Sequence, residues 1–262
     1  LLERIYVSSS YCESSLVQLQ LRYLKMNYKL YYWPVPFRGD FIRLLLEEAN
    51  EKYSDATYDE IINLKSMSPE KQPFPSMAPP FLHDLNSDIF LSQMPVIVMY
   101  LSEKINYLPK GSFKSAICLK LLLDSNDVLA EITNLNGTIM WEYDKWRQFR
   151  EKRLKRWFEI FEQTGQQFGL NSDSDYLLGG DQISAADIIT YALWGTMIRC
   201  IPELSVDFQK HSPNLFALCQ RIASRPNIQK FVESQSRRYG NLYCGGQIEK
   251  SIRRMLEQDK HQ

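Results

Sequence analysis

Tyr32-Trp33-Pro34-Val35-Pro36-Phe37-Arg38-Gly39-Asp40-Phe41-Ile42-Arg43 joins an apolar run ending in Tyr32 to an amphipathic segment that carries Arg43. Tyr28–Tyr32 is short and rich in aromatics, which suits a strand. Pro34 and Pro36 fix φ and each remove a donor, so the chain must turn there. From Asp40 to Ala49 the residues Phe41, Leu44, Leu45 and Ala49 recur at helical spacing. Tyr32 therefore stands where a strand ends and a helix is about to begin. In α/β folds ligands bind at such points, because strand carboxyl ends and helix amino ends converge there.

Further along, Tyr53–Ile62 reads as a weak strand or a strand-to-loop passage, and Lys65–Ser76 as a polar, proline-broken loop. Pro79-Pro80 leads into Phe81–Leu82, and Ile89–Leu91 follows a polar turn, which predicts a hairpin. Pro95–Ile105 predicts a helix with its proline in the first turn. After Pro109-Lys110-Gly111 strand signals stop and helical periodicity takes over. The spacing predicts helices over Ser115–Met140, bent near Gly137, then Asp144–Phe168, Ala185–Met197, Asn214–Ser224 and Pro226–Ser234. Ser184-Ala185-Ala186-Asp187, placed after Gly179-Gly180, has the form of a helix-start box. The charged tail, 245–262, is compatible with a helix or with disorder and holds no motif.

Composition narrows the function classes. The chain has 262 residues, 44% of them hydrophobic and 24% charged, enough for a large core or two domains. Formal net charge is +0, with 31 Lys+Arg against 31 Asp+Glu, so nothing favours a nucleic-acid surface. The five cysteines (Cys12, Cys118, Cys200, Cys219 and Cys244) show no C-x-x-C spacing, which suits free thiols in a reducing, cytoplasmic setting. His83, His211 and His261 form no metal-ligand cluster, so no metal is expected. No apolar run reaches membrane-spanning length. Residues 1–25 lack an apolar signal core, and we expect them to be an appended, disordered leader ahead of Met26.

Three pieces, in this order and spacing, resemble the glutathione transferase superfamily. They are YKLYYWPVPFRGDFIRLLLEEA, MAPPFLHDLNSDIFLSQMPVIVMYL and LLGGDQISAADIITYALW. The resemblance spans roughly residues 26–234, and the flavour of its first helix is that of bacterial-type members. It implies an α/β thioredoxin-like N-terminal domain, residues 26–108, that binds glutathione. An all-α helical domain, residues 109–262, would follow. Tyr32 then falls at the position of the catalytic tyrosine, whose hydroxyl stabilises a thiolate by a hydrogen bond. Arg38 falls where several classes grip the glycyl carboxylate of glutathione.

Pro80 resembles the cis-proline that presents the preceding backbone to the cysteinyl part of the ligand. Pro79 departs from the pattern, because it has no N–H to donate. Gln93 and Met94 fall on the pair that holds the γ-glutamyl end at a helix start, where N–H groups favour an anion. Gln93 suits the role, whereas the Met94 thioether cannot replace a hydroxyl donor. Lys71, with Lys65 as a second choice, is a cation candidate, although loop lysines are most often solvated. Trp33, Val35 and Pro36 would line the electrophile side or simply pack a turn. Ser184 and Asp187 read as structural. No cysteine lies in the Trp33–Arg38 turn, which disfavours a cysteine-type member.

The implied function is a glutathione transferase of tyrosine type, a detoxification enzyme with glutathione as co-substrate. It would conjugate hydrophobic electrophiles or reduce organic hydroperoxides. Pro79 and Met94 favour an alternative, a non-catalytic transferase-like module for binding or assembly. An enzyme using another thiol is a third option. The resemblance also implies a homodimer, with Phe74 as an aromatic plug and Asp127 or Glu131 reaching across.

Overall fold

The computed structural model describes residues 26–173 and 176–260. The expected leader, with Cys12, lies outside them. Strand β1 (Tyr28–Tyr31) leads through the proline turn into helix α1 (Phe37–Glu48), then β2 (Tyr53–Asp55), α2 (Tyr58–Ser66), β3 (Phe81–Asp84), β4 (Ile89–Ser92) and α3 (Met94–Lys104). The sheet order is β2-β1-β3-β4. β1 and β2 run parallel, while β1–β3 and β3–β4 are antiparallel, with Leu30 opposite Leu82 and Leu82 opposite Leu91. This is a thioredoxin-like sheet followed by an all-helical region.

Burial alternates along β1, so Tyr28 and Leu30 enter the core. α1 is buried nearly all round, because it packs on α3 and also on helices of the second half. Asp84 is fully buried at the end of β3. It accepts from the Tyr100 hydroxyl (2.6 Å) and the Asn86 N–H (3.0 Å) and pairs with Lys104, so its charge is matched and its lone pairs are used.

The helical half comprises α4 (Ser112–Ile132), α5 (Tyr143–Gln148), a π-helical stretch (Phe149–Leu154), α6 (Lys155–Gln167), α7 (Ala185–Thr190), a second π stretch (Tyr191–Gly195), α8 (Thr196–Cys200), α9 (Ser205–His211), α10 (Pro213–Ala223), α11 (Pro226–Tyr239) and α12 (Gly246–Asp259). Trp194 lies at its centre, with the rings of Phe158, Phe161 and Phe208 within 5.7 Å between centroids. Glu162, buried on α6, accepts from the backbone N–H groups of Asn214 (3.3 Å) and Leu215 (3.0 Å). It thereby supplies acceptors for the orphan donors at the start of α10.

Several expectations are corrected. Tyr53–Ile62 is a three-residue strand, Tyr53–Asp55, followed by the start of a helix, not a weak strand or a strand-to-loop passage. Thr57 and Glu60 form a capping box that starts α2, a signal present in the sequence but overridden by the Tyr/Ile content. α1 begins at Phe37, three residues early, because Pro36 leads straight into it. The helix expected over Ser115–Met140 ends at Ile132. Asn134, Leu135 and Asn136 then take φ of 49°, 58° and 56°, which no right-handed helix accommodates. α9 and the extension of α11 to Tyr239 were not foreseen. The tail forms α12, whose Ile252, Met255 and Leu256 are buried.

Candidate active site

Tyr32 directly follows β1 and is only 5% exposed. The Arg38 N–H donates to its hydroxyl oxygen, and the Arg38 and Arg43 guanidiniums lie close by. Burial nevertheless raises its pKa above the usual phenol range, and Arg38 and Arg43 offset only part of this. The Arg43 guanidinium lies 5.9 Å from the ring centroid. Gly39 makes the close approach possible. A Cβ there would stand 2.4 Å from Tyr32 Cδ1 and 2.6 Å from Arg43 Nη1.

Arg43 pins the loop. Its Nη1 donates to the Val35 carbonyl (2.9 Å) and to Asp40 (3.2 Å), its Nη2 to the Trp33 carbonyl (3.2 Å) and its Nε to Asp55 (3.0 Å). Arg43 and Asp40 were both read as structural, and both are buried. Arg38 is half-buried beside them. Its Nε donates to Asn126 (3.1 Å) and its Nη2 to Asn136 (2.8 Å). Both partners are neutral amides, so the guanidinium charge keeps its capacity for an anion. Between Tyr32 and Arg38 stands Phe37 at φ 38°, a non-glycine outlier of the kind that collects at functional sites.

The Pro79–Pro80 bond is cis, and Pro80 is buried. Gln93 is exposed at φ 71° immediately ahead of α3, and its side-chain amide makes no hydrogen bond among the described residues. Met94 is 1% exposed, its thioether packed in the core, so only its backbone is left at the helix start. Lys71 is exposed at the end of a short 3-10 turn, whereas Lys65 stands 5.9 Å from the Trp33 ring. Gln72, not singled out in the sequence, clamps this loop by donating to the Leu64 carbonyl (3.2 Å) and accepting the Ser76 N–H (2.6 Å).

The electrophile-side candidates are covered. Val35 is 8% exposed and Pro36 is buried, while Trp33 is half-buried against Tyr58. The cover is the segment ahead of α12. Tyr243 is 1% exposed and packs edge-on against Phe37, and a Cβ on Gly245 would lie 3.2 Å from Val35 Cγ1. Glu249 ties this segment down by accepting the N–H groups of Tyr243 (3.1 Å), Cys244 (2.8 Å) and Gly245 (3.3 Å) and pairing with Arg253. Burial pushes the Glu249 pKa up, but these donors outweigh it and hold the carboxyl below its usual range. Burial, with the Glu249 carboxylate beside it, raises the Cys244 thiol far above its ordinary value, so it stays protonated.

Asp187 is fully buried and accepts from the Ser184 N–H (2.8 Å), the Ser184 hydroxyl (2.9 Å) and the Leu177 N–H (2.7 Å). The box is thus part of the core. Among the described residues no group of three or more His, Cys, Asp and Glu side chains could hold a metal ion, and no helix is long and apolar enough to cross a membrane.

The glutathione S-transferase C-terminal domain model matches residues 117–255, more than half of the chain. The chain belongs to the glutathione transferase superfamily. It is 24% identical over 215 residues to a Plasmodium falciparum (isolate 3D7) protein named glutathione S-transferase, covering 80% of this chain and 96% of that one. Its fold matches the structure of the Onchocerca volvulus Pi-class glutathione S-transferase with a TM-score of 0.68 at 22% identity, over 85% of this chain and 99% of the other. The glutathione S-transferase from Ascaris lumbricoides matches with a TM-score of 0.61 at 20% identity, over 80% and 97% of the two chains.

Proposed function

We propose that this glutathione transferase binds glutathione along residues 26–108 and activates its thiol with Tyr32. The strongest support is the arrangement at that hydroxyl. Its oxygen already accepts the Arg38 N–H, which leaves its proton free to donate to a sulfur. A hydrogen bond that favours the thiolate lowers the thiol pKa toward neutrality. Arg38 would take the glycyl carboxylate, Gln93 and the Met94 backbone the γ-glutamyl end, and the Pro79 carbonyl the cysteinyl N–H. Lys71 would supply a cation at the rim. Trp33, Val35 and Pro36 would form the electrophile side.

The reaction is attack of the thiolate on a hydrophobic electrophile or on an organic hydroperoxide. Residues 109–262 form the helical domain in this reading. The protein works as a cytoplasmic homodimer in detoxification, with Phe74, 52% exposed, seated in the partner. The absence of a basic excess gives no support to a nucleic-acid role. A second reading, a non-catalytic binding module, is favoured by the covering of Tyr32 and by the loss of donors at Pro79 and Met94.

Calorimetry with glutathione on the wild type and on Tyr32→Phe separates the two. Binding by both, with a higher pKa of the bound thiol in the variant, supports the transferase. No binding by the wild type sinks it in favour of the module.

A further inference from the structure

Asn136-Gly137 is the only Asn-Gly pair in the chain, and it lies where the helical half reaches Arg38. Asn136 is exposed, and its Oδ1 accepts from Arg38 Nη2 at 2.8 Å. Asn126 on α4 accepts from Arg38 Nε at 3.1 Å. Neither amide carries a charge, which leaves the guanidinium to an anionic ligand. Gly137 takes φ of 80°, and a Cβ there would stand 2.2 Å from Ile248 Cδ1 on α12. The turn therefore calls for glycine after Asn136.

An asparagine followed by glycine is open to attack on its side-chain amide carbon by the glycine backbone nitrogen, because no side chain blocks the approach. Three features of this turn favour the reaction. Arg38, bonded to Oδ1, draws electron density from Cγ and stabilises negative charge that develops on that oxygen. Asn134, Leu135 and Asn136 take positive φ in succession, a costly run for non-glycine residues. Exposure gives water access to the amide. One feature opposes it. The Gly137 N–H donates to the Thr133 carbonyl at 2.7 Å, and this bond must open before the nitrogen can attack. Opening of the turn thus sets the rate.

We propose that Asn136 is a deamidation site whose product switches off Arg38. The Gly137 nitrogen loses its proton to hydroxide and bonds to Asn136 Cγ. The Cγ–Nδ2 bond breaks, ammonia leaves with a proton from water, and a five-membered imide closes. Water then opens the imide to aspartate or isoaspartate; no oxidation or reduction takes place. Either product puts a carboxylate where a neutral amide held the guanidinium. A guanidinium binds a carboxylate more strongly than an amide, so Arg38 is captured within the chain and loses its grip on the glycyl carboxylate. The effect on glutathione rests on the thiol-site reading; the modification itself does not.

The full chain is incubated for a prolonged period in mildly alkaline buffer and mapped by peptide mass spectrometry. The amide-to-acid mass gain, with an isoaspartate form, is expected at residue 136 ahead of every other asparagine. An intact Asn136 overturns the site. Asn136→Asp reproduces one product directly. It is expected to weaken glutathione about fivefold, the scale of one partly exposed ion pair. γ-Glutamylcysteine, which lacks the glycyl carboxylate, should bind this variant and the wild type alike. Asn136→Gly keeps the left-handed turn without a charge and should stay near the wild-type affinity. Equal glutathione affinity in Asn136→Asp and Asn136→Gly overturns the switch. If glutathione does not bind the wild type, the thiol-site reading falls, and capture is read from stability instead. A double-mutant cycle of Asn136→Asp with Arg38→Ala, followed by urea unfolding, is expected to show favourable coupling, and zero coupling overturns the capture.

Discussion

Tyr243 and Phe37 meet at 86°, with their ring centroids 5.3 Å apart. One ring comes from the loop ahead of the last helix, the other from the first residue of α1, two hundred residues earlier. The contact closes the space beside Tyr32 and Val35, and the Tyr243 hydroxyl finds no partner there. A buried phenol without a partner costs free energy, so this lid is less strongly held than its area alone implies. Tyr243→Ala is expected to raise the rate with a bulky aryl electrophile severalfold while lowering stability by about 3 kcal/mol, the usual loss for a large buried ring. Steady-state kinetics beside urea unfolding checks both; a slower rate would make Tyr243 part of the binding surface instead.

Tyr32→Phe removes the proton offered to the sulfur but keeps the ring. Conjugation at neutral pH is expected to fall about a hundredfold, the scale of one positioned proton donor. The gap should narrow at high pH, where solvent alone ionises the thiol. A pH–rate profile tests this, and a constant ratio across pH would remove Tyr32 from thiol activation.

Gly39→Ala would ordinarily stabilise a helix by up to about 1 kcal/mol. Here the added methyl meets Tyr32 Cδ1 at 2.4 Å and Arg43 Nη1 at 2.6 Å. Both groups are buried, and Arg43 is held by hydrogen bonds to Val35, Trp33, Asp40 and Asp55. Overpacking of this kind costs about 1–3 kcal/mol, so a net loss of stability is expected, accompanied by lower activity as Tyr32 is displaced. Thermal melts of the variant check the sign.

Asp40 gives a pH dependence of definite sign. Burial raises its pKa to about 6, with Arg43 and Arg199 opposing. Arg43 gives two nitrogens to Asp55 but only one to Asp40, so its charge is not spent on the buried partner. The folded state therefore binds the Asp40 proton more tightly than the unfolded state. That contribution is complete below the ordinary value of 3.8 and is lost as pH rises through about 6. Relative to Asp40→Asn, the wild type should lose about 2–3 kcal/mol between pH 4 and 7, since each pKa unit corresponds to about 1.4 kcal/mol. Denaturant melts at both pH values decide it; parallel curves would mean that Asp40 stays ionised throughout.

Local rules made much of the fold legible. The proline turn after Tyr32, the hairpin after Pro80 and the Ser184–Asp187 box each depend on near neighbours in sequence, and each is present. The misses have physical reasons. The Thr57–Glu60 box lay inside a stretch whose tyrosines and isoleucines suggested a strand. The left-handed run at Asn134–Asn136 has no glycine to announce it except Gly137. The covering of Val35 by Tyr243 and Gly245 joins residues more than two hundred positions apart, and no periodicity encodes such a contact. Gly240 and Gly245-Gly246, bracketing Asn-Leu-Tyr-Cys, were a local hint of a shaped loop. At the candidate site, the family resemblance pointed to Tyr32, Arg38 and Gln93, but only geometry revealed that Arg38 rests on two amides from the helical half.

Glu48, near the end of α1, pairs with Arg225, and its carbonyl accepts the Asn227 amide at 3.3 Å. The Ala185 N–H in turn donates to the Tyr107 carbonyl at 2.8 Å. The sheet-bearing half and the helical half thus complete each other's helix ends and buried charges. Cut apart, each half would be left with orphan donors and the bare apolar side of α1 or of its partners. The whole chain should melt in one cooperative transition, and losses of a few kcal/mol anywhere along this seam would be felt around Tyr32 and at the far helices alike.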